Sequence, residues 1–177
     1  NDCDFCPHLK EPVVKGHYLR IKQEPSVNKI IKDIQTFGEP KKFDEIVFCG
    51  YGEPTMRIEV LKKIARWLKD QGCKTRLNTN GQANLIAKRD ILPELDSLFD
   101  VISISLNFHQ KNLYNKHCRP IFKNAFDSML KFAEEAKKIS PQVVLSVVSG
   151  FKDVKIEKCR RVAQKIGVNF RERTYFK

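Results

Sequence analysis

Two kinds of apolar segment alternate along the chain, and this alternation limits the fold more than any other feature of the sequence. Short apolar runs typical of buried strands are separated by segments whose apolar residues recur at helical spacing. The predicted strands are Glu45–Cys49, Lys74–Asn78, Asp100–Leu106, Gln142–Val148 and Val168–Arg173. The predicted helices are Val27–Phe37, Ile58–Asp70, Asn84–Leu98, Asn124–Ile139 and Lys155–Ile166, and the third is expected to break near Pro93.

Repeated strand–helix units of this kind predict right-handed crossovers and a parallel α/β sheet. Five strands are visible in the sequence, and we expect a sixth to precede Asn1. A doubly wound open sheet and a partial barrel both fit the pattern. In either architecture, ligands bind at the carboxyl ends of the strands.

Two further segments are predicted to be mostly loop. Residues 7–25 show no clear period apart from a short strand at His17–Ile21. Residues 108–120 form a loop with one turn of helix around Asn112–Tyr114. Both loops are candidate lids or substrate walls at the mouth of the sheet.

The length of 177 residues predicts a single domain, residues 1–177. No apolar run approaches the ~18 residues of a membrane span, so we expect no membrane association. Apart from Cys3 and Cys6, the six cysteines are scattered. This indicates a reducing compartment and a cytoplasmic location, not a disulfide framework.

The net charge of +12 permits a nucleic acid or another anionic partner. The lysines are spread along amphipathic helices, as at Lys62-Lys63 and Lys137-Lys138, and the chain has no arginine-rich arm. This distribution favours solvated helix faces over a nucleic-acid interface.

The first six residues, Asn1-Asp2-Cys3-Asp4-Phe5-Cys6, place two thiols three positions apart, with an aromatic residue before the second. Zinc and iron–sulfur sites need three or four ligands, so Cys3 and Cys6 cannot complete such a site by themselves. A third cysteine would stand four positions before Cys3, and we expect a strand and this ligand upstream of Asn1. His8 is an alternative ligand within the sequence.

The first predicted strand of the series is followed by Gly50-Tyr51-Gly52-Glu53-Pro54. The two glycines let the backbone turn tightly and approach a ligand, and Glu53 could meet a ligand ammonium there. A plain turn with a solvated Glu53 is the alternative. The second strand ends in Asn78-Thr79-Asn80-Gly81, which suits a polar site or a simple turn.

Ser103, Ser105 and Asn107 alternate along the third strand, so they face one side of it. Polar groups on a buried strand need partners, which favours a site there. The chain has no GxGxxG and no GxxxxGK[ST], so nicotinamide dinucleotide binding is disfavoured and a P-loop is excluded.

The last predicted strand carries Arg171, Glu172 and Arg173 in succession. Alternation on a strand means that either the arginine pair or the glutamate faces inward. Inward arginines would indicate an anionic group on a substrate, whereas exposure at the edge of the sheet is the alternative.

Together these segments resemble the radical S-adenosylmethionine (SAM) enzymes. From its second cysteine onward, the superfamily signature CxxxCxφC, with φ aromatic, is matched by Cys3, Phe5 and Cys6. Gly50-Tyr51-Gly52-Glu53 is similar to the GGE motif. The runs FCGYGEPTMR, LNTNGQANLI, SISLN, YNKHCRP and SVVSGFKDV resemble the TatD-associated radical SAM proteins, and this similarity extends from Asn1 to Tyr175.

The resemblance implies a (β/α)6 partial TIM barrel whose first strand is missing from the sequence shown. It also implies a [4Fe–4S] cluster held by three thiolates, with SAM on the fourth iron. Such an enzyme would cleave SAM reductively to a 5′-deoxyadenosyl radical, which abstracts hydrogen from an unknown small-molecule or peptide substrate. An electron donor such as flavodoxin or ferredoxin would be its partner.

The resemblance further implies roles for individual residues. Cys3 and Cys6 would bind iron, and Phe5 would contact adenine together with the stretch 147–151. The remaining SAM contacts would be Gly50, Gly52, Glu53, Asn78 or Thr79, Ser105, Asn107 and Arg119.

Cys118 lies in the loop at the mouth of the predicted sheet. It could donate hydrogen to a product radical, or it could be a packed, small apolar residue. A different class of function also fits the composition, namely a zinc- or cluster-containing basic α/β binding module without radical chemistry.

Overall fold

The computed structural model of the chain describes residues 1–6, 13–14, 17–18 and 20–174. The helices within these residues are α1 (Val27–Thr36), α2 (Ile58–Asp70), α3 (Ala83–Ala87), α4 (Lys111–Cys118), α5 (Ala125–Ala136) and α6 (Ile156–Ile166). The strands are β1 (Val13–Val14), β2 (His17–Tyr18), β3 (Ile46–Phe48), β4 (Thr75–Thr79), β5 (Val101–Ser105), β6 (Gln142–Ser149) and β7 (Asn169–Thr174). Short 3₁₀ segments cover Pro40–Lys42, Pro54–Arg57 and Leu92–Leu95.

A five-stranded parallel sheet runs in the order β3-β4-β5-β6-β7. One or two helices lie between each strand and the next along the chain, as the predicted strand–helix units require. The predicted α/β fold with a parallel sheet is therefore confirmed. The short strands β1 and β2 form a separate antiparallel pair.

The two faces of the sheet carry different side chains. Ile104 of β5 and Met129 of α5 flank the same point beside Gly81, so the apolar face of β5 packs on the helices. Ser103 and Ser105 alternate with Ile104 and therefore lie on the opposite face. We call this opposite face of the sheet the concave face.

The edges of the sheet curl toward each other across the concave face. In a flat sheet, β3 and β7 would lie about 19 Å apart, because four strand spacings of ~4.8 Å separate them. Cys49 directly follows β3 and Arg173 lies in β7, yet the two groups interact electrostatically. Burial raises the pKa of the Cys49 thiol, and the Arg173 guanidinium opposes that rise. An interaction across this span agrees with a curved sheet, as in a partial barrel.

The segment predicted as helical over residues 84–98, with a break near Pro93, is interrupted earlier than predicted. Helix α3 ends at Lys88, which has a left-handed φ of 56°. The Asn84 side chain accepts a hydrogen bond from the Ile91 backbone N–H at 3.0 Å, and a 3₁₀ segment follows at Leu92–Leu95. Local side-chain bonds of this kind compete with a continuous helix.

The segment predicted as a loop over residues 108–120 contains the eight-residue helix α4. The expected single turn around Asn112–Tyr114 is therefore extended to Cys118, where Arg119 adopts a left-handed conformation and ends the helix. This difference matters, because the end of α4 forms the centre of the site described below.

His8, the alternative metal ligand, and Tyr175, the last residue of the family similarity, lie outside the described residues. Within the part of the chain that the structure describes, no helix combines the length and the apolar character needed to cross a membrane.

Candidate functional site

Residues 1–6, which we call the cysteine turn, contain both thiols of the predicted metal motif. The Cys6 backbone N–H donates to the Cys3 carbonyl at 3.0 Å, and this bond brings the two residues onto one tight turn. Both cysteines are partly exposed. Two thiols on one turn with access to solvent can coordinate a common metal group.

The end of helix α4 holds the backbone of the cysteine turn. The Asp2 N–H donates to the Cys118 carbonyl at 3.0 Å, and the Asp4 N–H donates to the His117 carbonyl at 2.9 Å. Carbonyls at the end of a helix have no partner within the helix. The cysteine turn thus uses two acceptors that the helix leaves free.

A buried amide–phenol cluster fixes the start of the cysteine turn. Asn1 donates from Nδ2 to the Tyr114 hydroxyl at 3.0 Å and accepts from Gln82 Nε2 at 2.7 Å. Gln82 also donates to the Tyr114 hydroxyl at 3.0 Å. Burial is the main cause that raises the pKa of Tyr114, so its hydroxyl stays protonated.

His117 joins the cysteine turn to the loop after β6. Its Nδ1 lies 2.8 Å from Asp4 Oδ2, and its Nε2 lies 3.0 Å from Asp153 Oδ2. The ring stacks on Phe108 with a centroid separation of 4.7 Å and is almost completely buried. Hydrogen bonds to His117 are the main cause that lowers the pKa of both carboxyls, which remain ionised acceptors.

Arg119 is engaged by the cysteine turn. Its Nε donates to Asp2 Oδ2 at 3.2 Å, and its Nη1 donates to Asp4 Oδ1. Arg119 was predicted as a SAM contact, but in the structure its guanidinium binds the protein's own carboxylates. This geometry favours a role in positioning the turn.

Cys118 is fully buried behind Cys3. A hydrogen bond with the Cys118 side chain lowers the pKa of Cys3 against the opposing effect of burial, and the same bond raises the pKa of Cys118. The thiolate is the form that binds metals, so this pairing prepares Cys3 as a ligand. The buried position of Cys118 favours the packing alternative over hydrogen donation.

Phe5 lies between the loops that follow β5 and β6. Its ring centroid is 6.4 Å from that of Phe108 and 5.5 Å from that of Phe151, the latter in an edge-to-face arrangement. The structure therefore brings together Phe5 and the 147–151 stretch, the two regions predicted to contact adenine.

The Glu53 carboxylate joins the ends of β3 and β4. Its Oε1 accepts from the Thr55 N–H at 3.1 Å, the Thr55 hydroxyl at 2.7 Å and the Thr79 hydroxyl at 2.8 Å. Its Oε2 accepts from the Asn80 N–H at 2.8 Å. A carboxylate oxygen can accept more than one bond, so Oε2 keeps capacity for a ligand donor.

Gly52, which precedes Glu53, has a φ of 133°, a conformation that residues with a Cβ rarely adopt. Gly50 has no positive φ. Space is open around the Cα of both glycines among the described residues. The Gly50–Glu53 loop could therefore admit a ligand close to its backbone.

Asn78 and Thr79, the two alternative SAM contacts at the end of β4, lie on opposite faces of the sheet. Asn78 is in register with Ser103, whereas Thr79 is in register with Ile104. The Thr79 hydroxyl donates a hydrogen bond to Glu53. Asn78 therefore shares the concave face with Ser103 and Ser105. The Ser105 hydroxyl has no hydrogen-bond partner among the described residues, which leaves it free for a ligand.

Asn107 follows β5 in a left-handed conformation with φ 56°. The residue is 4% exposed, and its Oδ1 has no hydrogen-bond partner in the described part of the chain. An unpaired buried polar atom costs free energy and is expected where a ligand or water completes the bond. Asn107 is thus a candidate ligand contact, as predicted.

The donor set fits part of an iron–sulfur site. Two thiols, one of them with a lowered pKa, suit soft metals and clusters. Across the described ranges, no group of three or more His, Cys, Asp or Glu side chains is placed to hold a metal ion. Cys3 and Cys6 thus supply two ligands, and the alternative ligand His8 falls outside those ranges.

Sequence analysis missed the side chains that hold the cysteine turn, namely Asn1, Asp4, Gln82, Tyr114, His117 and Asp153. The YNKHCRP run contains two of them, but nothing in its spacing indicates that their partners lie more than 100 positions away.

The family model described as the Radical SAM superfamily matches residues 1–166. A 7-carboxy-7-deazaguanine synthase of Methanocaldococcus jannaschii is 26% identical over 168 residues, which cover 88% of this chain and 63% of that protein. A protein of the same organism, provisionally named as a glycyl-radical enzyme activating enzyme, is 28% identical over 77% of this chain and 51% of its own length. The chain thus spans less than two thirds of both relatives.

The crystal structure of Streptococcus suis SuiB superimposes with a TM-score of 0.63, at 15% sequence identity, over 99% of this chain and 37% of that protein. The SuiB structure bound to S-adenosylmethionine superimposes with a TM-score of 0.62. At this identity the match bears on the fold alone, and it agrees with the curved parallel sheet.

Proposed function

The chain belongs to the radical SAM superfamily, and from this membership we propose that it is the core of an enzyme that binds a [4Fe–4S] cluster and SAM. We propose that residues 1–177 form one radical SAM domain that works in the cytoplasm. Placement in the TatD-associated group stays a prediction from the motifs.

The arrangement of the cysteine turn carries this proposal. Cys3 and Cys6 share one turn, and the helix α4 end, His117 and Arg119 fix its backbone and side chains. Fixing an exposed turn in one conformation costs conformational entropy. This cost is expected where the geometry of the two thiols serves a ligand. Cys3 and Cys6 would hold two irons of the cluster.

When bound, the cluster supplies the electron that cleaves SAM into methionine and a 5′-deoxyadenosyl radical. The chain's own residues bind and orient SAM. The free acceptor capacity at Glu53 Oε2, beside the open Gly52 backbone, suits the methionine ammonium.

The methionine carboxylate, the ribose and the adenine of SAM would lie along the concave face. Asn78, Ser105 and Asn107 would contact the ribose and carboxylate, and Phe5 with the 147–151 stretch would enclose the adenine. Phe5, Phe108 and Phe151 form an aromatic group on this side of the site. An apolar wall of this kind would keep water away from a reactive radical.

We propose a small-molecule or peptide substrate, which loses a hydrogen atom to the radical. An electron donor such as flavodoxin or ferredoxin would reduce the enzyme. Two related proteins support these two kinds of substrate: the name of one relative is that of a synthase of the small molecule 7-carboxy-7-deazaguanine, and SuiB has been crystallised with its precursor peptide.

Anaerobic purification of the protein, followed by reconstitution with iron and sulfide, tests the proposal. Iron and acid-labile sulfide are measured per chain, and 5′-deoxyadenosine is measured after addition of dithionite and SAM. About four irons per chain together with 5′-deoxyadenosine are expected. Zinc in place of iron, or iron without any cleavage, would instead support the basic binding module without radical chemistry.

A further inference from the structure

Strand β7 resolves which of its alternating side chains face the concave side. Phe170 lies under the guanidinium of Arg160 from α6, at 4.7 Å from the ring centroid, so Phe170 faces the helices. Arg171 and Arg173 are offset from Phe170 by odd numbers of residues and therefore lie on the opposite face. Glu172 shares the helix-facing side with Phe170.

The strand register gives the same result. Arg171 is paired with Ser146, and Ser146 is paired with Ser105 on the next strand. Paired residues in adjacent strands share a face. Arg171 therefore lies on the concave face, in the same row as Ser105. Arg173 follows two positions later, opposite Val148.

The charge environment of Arg171 and Arg173 differs from that of another arginine on the same face. Neither guanidinium lies within ion-pair distance of a carboxylate among the residues that the structure describes. Arg76 on the same face, toward the amino end of β4, provides a contrast. Its Nε and Nη2 donate to the two oxygens of Glu45 at 2.6 and 3.1 Å.

The environment of Arg173 disfavours its positive charge, for which the described residues offer no carboxylate partner. The residue as a whole is exposed to solvent, but its guanidinium is surrounded by protein. This burial lowers the pKa of Arg173, and repulsion from Arg171 lowers the pKa further. Cys49, at the facing edge of the sheet, is an additional neighbour. Two like charges held together in this way are stabilised when an anion lies between them.

We propose that Arg171 and Arg173 form a subsite on the concave face that binds an oxyanion of the substrate, a carboxylate or a phosphate. The two Cα atoms are roughly 6.6 Å apart along the strand, so both guanidinium groups can reach one such group. This inference rests on the proposed function, because it places the anion in the row of Ser105, next to the region assigned to SAM.

Calorimetric titration of the iron-loaded protein with inorganic phosphate, and separately with succinate, tests the subsite. Saturable binding of at least one anion is expected. Tighter binding of phosphate would indicate a phosphate group on the substrate, and tighter binding of succinate would indicate a carboxylate. In the Arg171→Gln/Arg173→Gln double variant the affinity should fall at least about tenfold, since charge-assisted hydrogen bonds are lost. The Arg171→Lys/Arg173→Lys variant should keep part of the affinity.

Arg161→Gln/Lys165→Gln is the matched control, because it removes two positive charges from the exposed part of α6. Its anion affinity should equal that of the unchanged protein. Equal affinity in the double Gln variant, or no saturable binding of either anion by the unchanged protein, would overturn the proposal.

SAM affinity, measured on the same preparations, separates a substrate subsite from a SAM contact. It should be the same in the double Gln variant and the unchanged protein. A parallel loss of SAM and anion affinity would show that the arginines hold the SAM carboxylate, and the substrate assignment would be wrong. Anion binding without iron or 5′-deoxyadenosine would refute the proposed function while leaving the anion subsite in place.

Discussion

Gly81 occupies a position where the loop after β4 passes between β5 and α5. Its φ of 74° is left-handed, and a Cβ at this position would lie 2.8 Å from Met129 Cγ and 2.9 Å from Ile104 Cγ2. Gly72 has nearly the same φ of 73°, but only the distant end of the Lys41 side chain approaches within 4 Å. A side chain at Gly72 would meet only the backbone strain, whereas a side chain at Gly81 would meet the same strain and a steric overlap.

We expect Gly81→Ala to lower the free energy of unfolding by about 3 kcal/mol, because the new methyl group forces Met129 and Ile104 apart. Gly72→Ala should cost about 1 kcal/mol, since it adds only the left-handed strain. Urea unfolding of both variants measures the two values. Equal losses would show that the contacts around Gly81 can relax.

Glu53 was predicted as a contact to the methionine ammonium, and the structure adds a second role for it. Four donors from Thr55, Thr79 and Asn80 converge on its carboxylate. The sequence could indicate a carboxylate at the mouth of the sheet, because the glycines and the strand end are local features. It could not indicate these donors, because two of them come from the next strand.

Glu53→Ala should weaken SAM binding and also destabilise the fold by about 1–3 kcal/mol, because buried donors lose their acceptor. Iron content should stay nearly unchanged. Equilibrium binding of SAM and urea unfolding measure the two effects, with the exposed Glu134→Ala as the control. Unchanged SAM affinity would remove Glu53 from the SAM site.

At the scale of elements, helix α4 was the main feature that the sequence did not predict. Its segment is polar, no side chain caps its start, and its buried residues are Tyr114, His117 and Cys118. Helix prediction depends on a stripe of aliphatic residues, which this helix lacks. Tertiary contacts with the cysteine turn stabilise it instead, and such contacts have no local signal.

The parallel sheet and the longer helices were predictable, because their apolar residues repeat locally. Helices α2 and α6 agree with their predicted bounds to within a residue, and glycine follows each of them as expected. The 84–98 segment was predicted less well. Its apolar spacing suits a helix, but the hydrogen bond from the Ile91 N–H to the Asn84 side chain stabilises a non-helical backbone between these residues.

His117→Phe should leave α4 folded, because an aromatic ring can keep the stacking on Phe108. The variant loses the bonds to Asp4 and Asp153, so the cysteine turn is held less firmly and the cluster should release iron several-fold faster. The rate of iron transfer to a chelator measures this, and circular dichroism checks the helix content.

Lys116→Gln is the control for this experiment, because Lys116 contacts Asp153 but not the cysteine turn. Its iron release should match that of the unchanged protein. If His117→Phe also releases iron at the unchanged rate, then the backbone bonds from Asp2 and Asp4 suffice to hold the turn.

At the scale of the whole molecule, the six free cysteines differ in access. Cys49 is exposed, Cys3 and Cys6 are partly exposed, and the other three are buried. Among the accessible thiols, Cys3 has a lowered pKa and Cys49 a raised one, so Cys3 should react faster with an alkylating reagent. Thiol reactivity therefore reports on both fold and ligation.

We expect three thiols to react in the folded, iron-free protein and all six after denaturation. Iron loading should protect Cys3 and Cys6 and leave Cys49 reactive. Mass spectrometry of the alkylated protein counts the modified residues, and Cys49→Ser should remove the remaining signal. Continued reaction at Cys6 in the iron-loaded protein would exclude it as a ligand.

The attachment of the cysteine turn to helix α4 also sets an order of events during synthesis. Cys3 and Cys118 are 115 positions apart, so at roughly 5–20 residues per second Cys3 leaves the ribosome about 6–23 s before its support exists. During that interval the thiols are open to oxygen and to competing metals. A nascent chain stalled before Cys118 should therefore fail to retain iron that the released chain keeps, which makes cluster delivery a late step of biogenesis.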